Sequence, residues 1–161
     1  MTPRHRYRPV AVTSAILVLA ALGAGAVTLA AAQRTDVVGV DLTGRTALAK
    51  AQSPTVLIDR GTIRGSPVGS GRITLVYTLR PREGRASTRF TIVNARGTVT
   101  GRARSTYAVT RLHITFTGAA VLTGGTRAYA GIRGGPLRFD AIHSITGRKE
   151  AITLRGRGTL P

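Results

Sequence analysis

Ser, His and Asp fall together on one short segment of this chain, and those side chains are the ingredients of a hydrolytic triad. The segment Pro136–Thr146 reads PLRFDAIHSIT and carries Arg138, Asp140, His143 and Ser144. A triad needs a nucleophile within hydrogen-bond reach of its base. Successive side chains on a strand point to opposite faces. Arg138, Asp140 and Ser144 therefore share one face, while His143 turns to the other with Phe139. No G-x-S-x-G elbow is present to expose a nucleophile. The segment reads instead as a strand with an Arg138–Asp140 pair on its solvated face.

Other chemistry is thinly supplied. After residue 35 the only histidines are His113 and His143, and neither stands at metal-ligand spacing from acids. There is no Cys, which excludes disulfides and thiolate metal sites. No metal is expected. Gly65–Gly71 is Gly-rich but lacks the G-K-[ST] ending of a phosphate loop, and no G-x-G-x-x-G opens a helix. No cofactor is expected either. The acids are Asp36, Asp41, Asp59, Glu83, Asp140 and Glu150. Among polar residues, Asp59, Tyr77 and Asn94 are the ones whose alternation could aim them at an interior. The plainer reading makes Tyr77 a core ring and Asn94 a turn residue.

The formal net charge is +18, carried by 22 Arg and 2 Lys among 161 residues. Such a surface suits polyanions, including acidic envelope polymers. An excess of Arg over Lys also follows from a GC-rich genome, and these Arg are scattered rather than gathered in a run. Arg102, Arg104, Arg155 and Arg157 alternate on two strand-like segments and are the candidates for an anion-binding stripe. No aromatic residue interleaves with them to stack on bases, so nucleic acid is not the expected partner.

The elements that would position these residues follow an export address. Met1–Arg8 carries Arg4, Arg6 and Arg8, and the next 25 residues to Gln33 are uncharged. A basic start, an apolar run and Ala30-Ala31-Ala32 match a signal peptide with a small-residue cleavage site. The run is also long enough to remain as a membrane anchor. Either way the remaining chain is placed outside the cytoplasm, and the membrane is met only through this segment. The expected division is 1–32 as signal peptide or anchor, 33–52 as linker or strap, and 53–161 as the folded domain.

Strand-like runs then recur at short intervals. Arg72–Arg80 alternates Ile73, Leu75, Tyr77 and Leu79 against Arg72, Thr74, Thr78 and Arg80, a period of two broken only by Val76. Further runs cover Thr55–Arg64, Ser87–Asn94, Thr98–Arg104, Thr106–Thr110, Leu112–Thr123, Pro136–Thr146 and Glu150–Thr159. In Thr98–Arg104 the face with Val99, Gly101 and Ala103 is thin, so a neighbouring core could approach closely. About eight strands with short turns predict an all-β sandwich or barrel, and closure removes the edges that an open sheet exposes.

The connection after the sixth of these strands carries Gly124, Gly125, Thr126, Tyr129 and Gly131 in the pattern G-G-T-x-x-Y-A-G. This turn resembles the signature turn of the allene oxide cyclase/dirigent-like β-barrels, and most of all their small secreted bacterial members. The strand spacing extends the resemblance over roughly Ser53–Leu160. It implies an eight-stranded antiparallel barrel, a homotrimer, and an interior that steers a small hydrophobic ligand with a few polar groups, for which Asp59, Tyr77 and Asn94 are the candidates. The function expected is that of a binding or structural module of the envelope or exterior and not of a self-evident enzyme; two other classes stay open, a cyclase-, isomerase- or dirigent-like barrel and a polyanion-binding surface protein.

Overall fold

The computed structural model describes residues 35–161. The expected export segment, 1–32, lies outside the described residues. Eight strands follow in chain order: β1 (Asp36–Ser53), β2 (Val56–Ser66), β3 (Gly69–Arg80), β4 (Arg85–Asn94), β5 (Gly97–Val109), β6 (His113–Gly125), β7 (Arg133–Ser144) and β8 (Glu150–Leu160). Each pairs antiparallel with its sequence neighbour, and β8 pairs with β1 to close the barrel. Every strand thus has two hydrogen-bonded neighbours, although the β1–β8 ladder ends at Thr46 and the last residues of β1 pair with β2 alone.

The strand number agrees with the sequence expectation through two errors that offset each other. Residues 33–52 are not a linker: from Asp36 onward they form β1, which runs to Ser53 and is the longest strand at 18 residues. Thr98–Arg104 and Thr106–Thr110 are not two strands but one, β5. The reason β1 escapes a local reading is the stretch Ala47-Leu48-Ala49-Lys50, whose residues favour helix. Pairing to β2 overrides that preference, with Ala47 opposite Arg60, Leu48 opposite Asp59 and Lys50 opposite Ile58.

Inside and outside alternate as the pleat requires. On β3, Ile73, Leu75 and Tyr77 are buried while Arg72, Thr78 and Arg80 are exposed. The outward positions of the other strands carry residues such as Arg60, Arg89, Arg102, Arg138 and Arg155. A membrane-spanning barrel has the reverse pattern, with an apolar outer band. The interior is filled by Tyr77, Tyr129, Phe90, Phe116, Phe139 and the aliphatic side chains around them. Gly101 belongs to this packing: a Cβ there would press on the Phe90 ring directly opposite, so the thin face of β5 is what admits that ring.

The two ends of the barrel differ. The first end holds the β2–β3, β4–β5 and β6–β7 connections, and the second holds β1–β2, β3–β4, β5–β6 and β7–β8. The first end is stapled by Tyr129. Its hydroxyl donates to the Val68 carbonyl at 3.0 Å, and Asn94 Nδ2 donates to both the Val68 carbonyl (2.7 Å) and the Tyr129 hydroxyl (2.9 Å).

The role of β1 yields a test. A chain beginning at Arg34 is expected to give a cooperative, β-type circular dichroism melt. One beginning at Ser53 lacks β1, exposes the edges of β2 and β8, and is expected to aggregate or lose that melt. Equal melting of the two chains would contradict a closed barrel.

Candidate functional site

The half of the barrel toward the second end is lined by polar side chains as well as rings. Thr46 on β1, Asp59 on β2, Tyr77 on β3, Thr88 on β4, Ser105 on β5 and His143 on β7 are all buried there. Each lies in an inward-facing column that is otherwise apolar. Asp59, for example, falls between Leu57 and Ile63, and His143 follows Phe139 and Ala141. Alternation puts them inside because they occupy the parity of the core, away from bulk solvent.

Two contacts cross the lumen. Asp59 Oδ1 and His143 Nδ1 meet at 2.8 Å, joining β2 to β7, with the two side chains only 1% and 3% exposed. Tyr77 stacks on Phe116, joining β3 to β6, with ring centroids 4.4 Å apart. The Tyr77 ring also meets the His143 ring edge-on at 6.2 Å. Asp59, His143 and Tyr77 therefore form one cluster. The carboxylate holds Nδ1 of the imidazole, which leaves Nε2 as the nitrogen that can exchange a proton.

Tyr77 is tuned by the same surroundings. Burial pushes its phenol well above the usual value, and the nearby Asp59 charge pushes in the same direction. Both terms disfavour the phenolate. Tyr77 thus stays a neutral O–H, and a hydrogen-bond donor, throughout the physiological range.

Five buried polar atoms have no hydrogen-bond partner among the described residues: Thr46 Oγ1, Asp59 Oδ2, Tyr77 Oη, Thr88 Oγ1 and Ser105 Oγ. A few such atoms are ordinary for a chain of this size. Their concentration in one half of one lumen is what marks the site. Each unpaired group costs on the order of 1–3 kcal/mol, and an oxygen-bearing ligand would offset part of that.

The sequence candidates are sorted by this geometry. Asp59 and Tyr77 are inside and come together. Asn94 does not join them: it sits at the β4–β5 turn of the first end, where its Oδ1 also accepts the Arg96 N–H at 2.9 Å. Its plainer reading as a turn residue is the one the fold adopts. Gly124, Gly125, Thr126, Tyr129 and Gly131 form the first-end staple, away from the polar cluster. Thr126 and Thr98 exchange two bonds, Thr126 N–H to the Thr98 carbonyl (2.9 Å) and Thr98 N–H to Thr126 Oγ1 (3.1 Å). Gly131 sits at a φ of +77°. His143, which the sequence placed on the face opposite Arg138 and Asp140, is on that opposite face. Arg138 Nε and Asp140 Oδ2 pair on the outside at 2.7 Å. What sequence reading missed is the Asp59–His143 contact across 84 residues. The available signal was that both occupy inward parity in apolar columns, where opposite polar groups must find each other.

The four arginine candidates do not form one stripe. Arg102 and Arg104 lie on β5, Arg155 and Arg157 on β8, and two strands separate them on the outer wall. Arg155 is also engaged by Asp41 at 3.2 Å. Cations gather more closely in a groove of about 580 Å³ over the outer face of β1–β3, where Arg45, Arg64 and Lys149 surround Thr43, Thr62 and Ser70.

No protein-family model matches this chain, and no curated protein does. Among solved structures, a pyocyanin demethylase is similar, with 18% sequence identity over 75% of this chain and 98% of that one, at a TM-score of 0.34. That likeness is too slight to carry an argument about the site. What stands on the structure itself is the architecture: the chain is an all-β protein, a closed eight-stranded antiparallel barrel.

Proposed function

We propose that the second-end half of the barrel, whose side chains pack on one another in the unliganded state, opens between them to bind a small, largely apolar molecule carrying one or two oxygen functions, and moves a proton on it. The observation that carries this reading is the cross-lumen Asp59–His143 pair, with Asp59 Oδ2 and the Tyr77 hydroxyl beside it and both unpaired. Tyr77 would donate to a ligand carbonyl or phenol oxygen. His143, held by Asp59, would take or return a proton at a neighbouring carbon or oxygen. The rings of Phe116 and Tyr107, the latter tilted on Phe116 at 6.1 Å, would supply the apolar wall. This is the cyclase-, isomerase- or dirigent-like reading that the signature turn suggested, here resting on the barrel and its interior. An exported location, as the first 32 residues suggest, belongs to the same proposal.

Two probes test it: p-cresol, a phenol, and 2-cyclohexenone, an enone. Binding followed by the NMR signals of the His143 ring should saturate for at least one of them. Tyr77→Phe should weaken that binding roughly tenfold, the loss of one hydrogen bond to a buried oxygen. The same substitution removes an unpaired buried hydroxyl, so its melting temperature should equal or exceed that of the wild type. Probe binding that leaves the His143 signals unmoved, or that Tyr77→Phe does not weaken, would remove the reading.

A second reading is favoured by the outer groove, whose three cations face no acid among its lining residues. Anionic polymers would bind there and not along the four arginines named from sequence. Heparin affinity at physiological salt should fall in Arg45→Ser/Arg64→Ser and hold in Arg102→Ser/Arg104→Ser. Each neutralised charge contributes about one unit to the salt slope. Equal losses in the two variants would reduce the effect to general charge.

A further inference from the structure

We infer that the second end of the barrel docks on an anionic lipid surface, mouth down, through the β5–β6 hairpin tip and the β7–β8 loop. The inference starts from alternation. Val109, Leu112 and Ile145 continue the inward-facing columns of Tyr107, of Ile114 and of His143 to the rim: Val109 is the last residue of β5, and Leu112 and Ile145 lie one residue outside β6 and β7. Past the last rung there is no lumen to enter, and these three side chains are 61%, 61% and 49% exposed. They are three of the five large hydrophobic residues exposed among those described. They are adjacent as well: Ile145 N–H donates to the Leu112 carbonyl at 2.9 Å, and Val109 stands opposite Ile114 on the neighbouring strand. The result is an apolar lip on one side of the second end, the end nearer the polar cluster.

The lip is held rigid. Thr110 N–H donates to the His113 carbonyl at 2.9 Å, and Thr110 Oγ1 donates to the same carbonyl at 3.0 Å. Thr110 Oγ1 also accepts the His113 N–H at 3.1 Å and the Leu112 N–H at 3.4 Å. Arg111 and Leu112 are thus presented at the tip of a braced turn, so little ordering entropy opposes their insertion. The same two loops carry Arg111, Arg148 and Lys149, all exposed. Of the acids at this end, Glu83 is engaged by Arg80 at 3.6 Å and Glu150 is half-buried. Apolar side chains ringed by cations match an anionic bilayer: the former enter the acyl boundary and the latter meet the headgroups. A second copy of this chain would bring the same cations against each other and is disfavoured by that repulsion. Docking is independent of what the interior binds. If the interior reading also holds, an apolar ligand would pass between bilayer and lumen without crossing water.

The test uses the chain beginning at Arg34, because residues 33–161 form a compact unit by themselves and the apolar first 32 residues would otherwise carry the protein to any vesicle. The protein has no Cys, so Ala108→Cys near the tip and Ser70→Cys at the opposite end can each carry one environment-sensitive dye. Vesicles of phosphatidylcholine with 30 mol% phosphatidylglycerol (about a third anionic) are the probe. The dye at position 108 should shift to the blue and be quenched by brominated lipid, and the dye at position 70 should do neither. Adding Leu112→Ser and Ile145→Ser should weaken the response at 108 roughly tenfold or more, and so should neutral vesicles or half-molar salt, which shortens screening to a few ångströms. An unchanged dye at 108, a response that survives Leu112→Ser/Ile145→Ser, or a shift that follows protein concentration without vesicles would overturn the inference, the last by assigning the lip to self-association. Probe binding at His143 is measured without vesicles, so failure of one proposal leaves the other readable.

Discussion

Asp59→Ala is expected to destabilise the barrel by about 3 kcal/mol, the upper range for leaving a buried polar group without its hydrogen-bond partner. The substitution leaves His143 buried, 2% exposed, with no carboxylate to hold its ring. It also opens a gap between Leu57 and Ile63 in the β2 column. For a domain of this size that loss corresponds to a fall in melting temperature of more than about 10 °C. The informative companion is Asp59→Leu with His143→Phe, which replaces the pair by apolar groups of similar volume. Replacements of this kind are often neutral or stabilising, so the double variant should melt at or above the wild-type temperature. Urea titrations of the three chains measure both effects. If the double variant proved as unstable as Asp59→Ala, the pair would be a structural staple and the proton-transfer reading would lose its support. If it proved stable, the fold does not need the pair, which is what a site retained for chemistry should show.

Gly125→Val should reduce stability by about 3 kcal/mol, the upper end of ordinary overpacking. Gly125 closes β6 where the chain enters the turn that carries Tyr129. A Cβ there would collide with the backbone carbonyl oxygens of Tyr129 and Thr98, the latter at 2.7 Å. Neither can move without breaking the staple, because the Thr98 carbonyl accepts the Thr126 N–H and the Tyr129 carbonyl accepts the Ile132 N–H. Arg102→Val on the exposed face of β5 is the control and should stay within about 0.5 kcal/mol of wild type. Thermal melts of the two variants decide the matter. Similar midpoints would mean that the G-G-T-x-x-Y turn is not what seals the first end.

Alternation within a strand is a local property, and the sequence therefore carried it without error at the positions that matter most. Tyr77 alternates with arginine and threonine, and it is inside. Arg138 and Asp140 share a face, and they pair there. Asp59 and His143 each show inward parity in their own segments. Local reading failed where pairing partners decide. Ala47–Lys50 favours helix by itself, and only its ladder to β2 makes it a strand. Thr98–Val109 looked like two strands because Arg104-Ser105-Thr106 offers no large apolar residue, yet the ladders to β4 and β6 run through all three. Asn94 has strand-like parity with Ile92, but it is held at the first end, away from Asp59 and Tyr77, by Val68 and Tyr129, residues 26 and 35 positions away.

By itself, then, the sequence determined which side chains face inward, that there are enough short alternating runs for a closed sheet, and that cysteine and thiolate-metal chemistry are absent. It could not determine which inward side chains meet. That depends on register and on the closure of β1 against β8, which bring β2 opposite β7 and β3 opposite β6. The Asp59–His143 bond and the Tyr77–Phe116 stack exist only because of that closure. The physical reason is one of range. Parity is set by the two-residue repeat of the backbone, whereas contact across a lumen is set by the ladder bonds of every strand around it.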